Sequence, residues 1–81
     1  MEEQNITLIE VREIPIELHK LLKFATLVQS GGEAKSVIAE GLVKVNGAVE
    51  KQRGKKLVSG DIIEFNNRKF RVALKNNPSI S

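Results

Sequence analysis

The stretch Ser30-Gly31-Gly32-Glu33-Ala34-Lys35-Ser36 holds the residues most suggestive of a reaction. Glycines followed by Lys-Ser are what a nucleotide-binding loop uses. Glycine lets backbone N–H groups close on a phosphate, lysine adds charge, and the hydroxyl meets a magnesium ion. That motif needs glycine directly before the lysine and a buried strand upstream. Here Ala34 precedes Lys35, and residues 18–28 carry helical periodicity. The nucleotide reading fails on both counts. Gly31 and Gly32 are read instead as an inter-helix turn and helix start, where they leave room for a phosphate to approach the backbone.

Other candidates for catalysis are few. His19 is the lone histidine, and no cysteine is present, so a zinc site or a thiolate nucleophile has no donor set. Ser36 falls in mid-helix as a surface hydroxyl. Glu33 is accounted for by capping and Asp61 by a turn, and no carboxylate pair is set out for acid–base work. The chain reads as a non-enzyme with no metal, no cofactor and no small-molecule substrate.

The cations are a stronger signal. Residues 20–56 carry Lys20, Lys23, Lys35, Lys44, Lys51, Arg53, Lys55 and Lys56 against Glu33, Glu40 and Glu50, a net of +5. Residues 1–19 carry five glutamates against Arg12, a net of −4, and residues 57–81 add +2, giving +3 for the chain. Such asymmetry points to a polyanionic partner. No apolar run approaches the roughly 20 residues of a membrane span. The polar, acidic start Met1-Glu2-Glu3-Gln4-Asn5 is unlike a signal peptide, so a cytoplasmic location is expected.

The elements that must position these cations follow from periodicity. Ile6–Val11 is β-branched and apolar, a strand that Ile14-Pro15 ends. From about Pro15 the period changes. Leu18, Leu21, Leu22 and Ala25 form one stripe of a helix, with Phe24 and Val28 widening its apolar face. Ser30 and Glu33 fit a capping box that opens a second helix, with Ala34, Val37 and Ile38 inward and Gly41 ending it. Val43, Val45 and Asn46-Gly47 then read as a hairpin. Lys51–Lys56 is a basic loop, and Ser59-Gly60-Asp61 a turn. Ile62–Phe65 and Arg68–Leu74 are strands joined at Asn66-Asn67, the latter with Phe70, Val72 and Leu74 on one face. The expected fold is α+β: two short helices in a helix-turn-helix-like pair on a small, mainly antiparallel sheet. At 81 residues the chain is expected to form one domain, residues 1–75, with a loose tail at 76–81.

This order of elements, with Glu33-Ala34-Lys35, Gly41-x-Val43-x-Val45-Asn46-Gly47 and Gly60-Asp61-Ile62-Ile63, resembles the S-four-type RNA-binding domain, also called the alpha-L motif. The resemblance covers residues 17–65. The flanking strands, about 6–11 and 68–74, and the wording Lys23-Phe24-Ala25 and Arg53-Gly54-Lys55-Lys56-Leu57 are similar to small standalone bacterial members of the YbcJ or YaaA-like kind. The resemblance implies binding of structured RNA, often ribosomal RNA or a ribosomal particle. It places the contacts on Lys20, Lys23, Lys35, Lys44, Lys51, Arg53, Lys55 and Lys56. The family often opens its first helix Arg-Leu-Asp; here Glu17-Leu18-His19 stands instead.

Phe65 and Phe70 read as core strand residues and Phe24 as part of the helix core, so no stacking platform for bases is expected. Two other readings compete with RNA. One is a protein-interaction module whose basic face meets an acidic partner. The lesser is DNA binding, for which the short second helix offers no row of Asn, Gln or Arg for base edges.

Overall fold

The structure, a computed structural model, describes residues 5–75. The proposed tail at 76–81 lies outside them. Ile6–Val11 forms β1, and a two-residue strand, Ile16–Glu17 (β2), leads directly into the helix Leu18–Phe24 (α1). Gly31–Ala39 is α2. Five further strands follow: Val43–Val45 (β3), Ala48–Val49 (β4), Lys56–Leu57 (β5), Ile62–Phe65 (β6) and Arg68–Leu74 (β7). The main sheet has the order β1-β7-β6-β3-β4, and β2 pairs separately with β5. All pairings are antiparallel except β1 with β7, which run parallel, Ile6 opposite Lys69 through Val11 opposite Leu74. A parallel pair needs a long crossover, and here both helices and the hairpin lie inside it.

One face of the sheet and both helices share the core. Ile9, Val11, Val43, Val45, Ile63, Phe70 and Val72 from strands meet Leu18, Leu21, Leu22, Ala34 and Ile38 from helices, with Val28 and Leu57. Alternation along the strands sends Lys44, Glu64, Lys69 and Arg71 to the opposite face. No polar or charged residue among those described is buried.

Local stops match residue chemistry. The α2 helix ends in a full Schellman closure: Gly41 N–H donates to the Ile38 carbonyl and Leu42 N–H to Val37, with Gly41 at φ +78°. Asn46 and Gly47 both have positive φ, as a two-residue hairpin turn of the right twist requires.

The first helix begins at Leu18, where the leucine stripe starts, and residues 16–17 just before it pair with Lys56 and Leu57 as strand. Two expectations, on Phe24 and on the two glycines, need correction. Phe24 does not join the core; it is 57% exposed, while Phe65 is half-buried and Phe70 buried. Leu74 shares the face of Phe70 and Val72, as expected, and is exposed at the sheet end. Gly31 and Gly32 do not make the inter-helix turn. The reversal is made by residues 25–30, with Thr26 at φ +56°, and both glycines lie in the first turn of α2.

Candidate nucleic-acid interface

The basic loop between β4 and β5 is built onto the start of α1. Helix α1 has no side-chain cap at Glu17. Leu18 N–H donates to the Lys55 carbonyl at 2.9 Å and His19 N–H to the Arg53 carbonyl at 3.1 Å. Two of the orphan donors of a helix N-terminus are therefore satisfied by the backbone of the loop that carries the cations. Within the loop, Lys55 N–H donates to Gln52 and Gln52 N–H to the Glu50 carboxylate, which folds the segment on itself. The side chains of Lys51, Arg53, Lys55 and Lys56 are all exposed.

Lys20 and Lys23 stand on the exposed side of α1, one turn apart. Lys20 and Lys56 border the same hollow, together with Arg12 from the β1–β2 connection and the ring of Phe24. Lys51 lays its stem over Gly41, where an added Cβ would stand 3.4 Å from its Cε. Lys35 is exposed on α2, away from the buried Ala34 and Ile38. Lys44 belongs to the sheet. It occupies the far face of the sheet, opposite Glu64 in register, and lines a different hollow with Lys69. Of the eight, only Lys20 forms an ion pair among the described residues, at 3.9 Å to Glu17.

Glu17 organises the entry to α1. It takes a hydrogen bond from His19 Nε2 at 2.9 Å. That bond, opposed by partial burial and reinforced by the charges of Lys20, His19 and Lys56, holds the Glu17 carboxyl below the ordinary glutamate range. The carboxylate is thus committed to positioning its neighbours.

Gly31 and Gly32 sit where backbone N–H groups lack intrahelical acceptors. Space does not demand glycine there: an added Cβ at Gly31 meets nothing, and at Gly32 only Ser30 Oγ at 3.8 Å. Ser30 Oγ accepts from Glu33 N–H at 3.1 Å, as the capping box requires. Glu33 reaches one residue further than the box predicts, accepting from Gln29 N–H at 2.8 Å instead of from Ser30. Its carboxylate stands at the same helix end a phosphate would approach, and like charge disfavours that approach.

Arg12 and Phe24 lie outside the set expected from the sequence, yet border the hollow of Lys20 and Lys56. Arg12 was hidden among glutamates in a segment counted as acidic. Phe24 was assigned inward because it extends an apolar stripe. Among the described residues, no three His, Asp or Glu side chains gather to hold a metal, and no helix is long and apolar enough to cross a membrane.

Comparison with known proteins adds the following. A family model described as S4 domain matches residues 9–73. YbcJ of Escherichia coli (strain K12) is 48% identical over 50 residues, which are 62% of this chain and 71% of YbcJ. The solution structure of that protein, an alpha-L motif involved in RNA binding, superposes with a TM-score of 0.65 at 36% identity, covering 90% of this chain and 94% of YbcJ. RlbA of Bacillus subtilis (strain 168), a probable ribosome maturation protein, is 45% identical over 50 residues, 62% of this chain and 70% of RlbA. The 30S ribosomal protein S4e of Thermoplasma acidophilum shares the fold at 23% identity and a TM-score of 0.55, over 82% of this chain and 38% of S4e.

Proposed function

Because this chain belongs to the S4 domain family, we propose that it binds structured RNA without catalysing a reaction on it, and that ribosomal RNA or a ribosomal particle is its partner in the cytoplasm. The observation that carries this reading is the union of loop and helix. The carbonyls of Arg53 and Lys55 hold the start of α1, which fixes the loop that carries Lys51, Arg53, Lys55 and Lys56 to the helix that carries Lys20 and Lys23. The alpha-L motif of YbcJ, involved in RNA binding, supports RNA as the ligand class, and the ribosome maturation name of RlbA supports the ribosome as its setting.

RNA duplexes hide their base edges in a deep, narrow major groove, so recognition runs through phosphates, 2′-hydroxyls and shape. Lysines on short helices and a folded loop suit that mode. Arg53 supplies the planar fork that can hold one phosphate through two donors. The contact set is Lys20, Lys23, Lys35, Lys51, Arg53, Lys55 and Lys56, with Arg12 added. Lys44 contributes general attraction only.

The test is a salt series of binding to a ribosomal RNA hairpin and to a DNA duplex of equal length. RNA should bind more tightly, with log K falling linearly against log salt by about 0.7–0.9 per phosphate contacted. Lys55→Glu/Lys56→Glu should weaken binding at least tenfold and flatten the slope by about two phosphates, whereas Lys44→Glu should change affinity less than threefold. Equal affinity for RNA and DNA would mark a generic polyanion surface. Absence of binding at moderate salt would move an acidic protein partner to the front.

A further inference from the structure

The charge argument leaves Phe24 unused. Its ring is exposed, and it follows Lys20 by one helical turn, so ring and ammonium share a stripe of α1. The two side chains line a hollow of about 450 Å³ with Arg12, Pro15, Ile16 and Lys56. Glu13 and Glu17 also border it, and Glu17 is already engaged by His19 and Lys20.

Single exposed apolar residues are ordinary on protein surfaces. Leu8, Leu42 and Val58 are also exposed and call for no explanation. Phe24 differs in two respects. It presents a flat π face, and the concavity that contains it is bordered by three cations against two carboxylates, one of them already paired. A flat apolar surface bounded by positive charge complements a planar ring carried on an anionic backbone. Unpaired bases splayed from loops and bulges stack on aromatic side chains in this way while their phosphates meet cations.

We propose that Phe24 is a stacking site for one unpaired base of the RNA, with Arg12, Lys20 and Lys56 taking the phosphates on either side of it. This rests on the RNA reading above and narrows it. The ligand is a folded RNA with at least one extruded nucleotide, not a continuous duplex. The stacking surface that the sequence argued against is present because Phe24 turns outward.

The sequence contains no Trp and no Tyr, so Phe24→Trp introduces the only indole of the chain. Three RNA hairpins of equal length serve as probes: one with a single bulged adenine, one with an abasic residue at the bulge, and one fully paired. The indole emission should be quenched on titration with the bulged adenine and not with the other two. In wild type, the bulged hairpin should bind about fivefold or more tightly than the abasic one. Phe24→Ala should bring the two to equal affinity. Phe24→Leu, which keeps apolar bulk but loses the π face, should do the same. If wild type binds all three hairpins equally and the indole responds to none, stacking is refuted while RNA binding stands. If no hairpin binds in a salt series, the RNA reading itself fails and the stacking site falls with it.

Discussion

Asn46 does more than turn a hairpin. Its φ of +53° is the left-handed conformation that asparagine tolerates better than most residues. Its side-chain amide donates to Asp61 Oδ1 at 3.1 Å and its amide oxygen accepts from Ile62 N–H at 3.0 Å. The β3–β4 turn is thereby tied to the start of β6. Asn46→Ala should cost roughly 2 kcal/mol, about half from the backbone conformation and half from the lost hydrogen bonds. Asn46→Gly should cost only about 1 kcal/mol, since glycine keeps the conformation. Equilibrium urea unfolding of the two variants separates the contributions, and equal losses would mean that the backbone contributes nothing. The Asn-Gly pair was readable as a turn because the preference is local. The bond to Asp61 was not, because nothing in either residue's neighbourhood encodes a partner 15 positions away. Phe24 shows the same limit in reverse. Its spacing from Leu21 suits a buried stripe, yet a helix of seven residues has one inward face, and Leu18, Leu21 and Leu22 already fill it.

Among the secondary-structure elements, the connection from α1 to α2 carries strain. Thr26 N–H donates to Lys23 and Leu27 N–H to Leu22, the same closure seen after α2. After α2 the left-handed position is glycine, and after α1 it is Thr26, a β-branched residue at φ +56°, where such residues are rarely found. Thr26→Gly should therefore raise stability by about 1 kcal/mol, or some 5 °C in thermal midpoint. An unchanged or lowered midpoint would show that the hydroxyl bond to the Ala25 carbonyl offsets the strain. The helices, the hairpin and the last two strands were readable because period and turn chemistry agree in each. The pair β2–β5 and the backbone cap of α1 were not. Two-residue strands carry no period, and the cap of α1 comes from loop carbonyls that any sequence could supply.

The two faces of the sheet divide the charges of the molecule. Counting along the sequence groups eight cations, but the fold sends Lys44 to the far face of the sheet beside Glu64 and Lys69. Arg12 crosses the other way, from a segment counted as acidic into the hollow with Lys20 and Lys56. Net charge was readable from composition; its distribution in space required the register of the strands.

The carbonyl anchors at Leu18 and His19 bear on kinetics. A segment that orders only on contact adds a first-order step to association, and its observed rate levels off as ligand concentration rises. Here the loop is already bound to the helix it adjoins, so arrival needs only diffusion and orientation, accelerated by charge. In stopped-flow mixing, the observed rate should climb linearly with RNA concentration and fall steeply as salt is added. Loss of the Phe24 ring should leave that slope nearly unchanged and shorten the lifetime of the complex. A plateau in the observed rate would mean that the loop lets go of α1 before it takes hold of RNA.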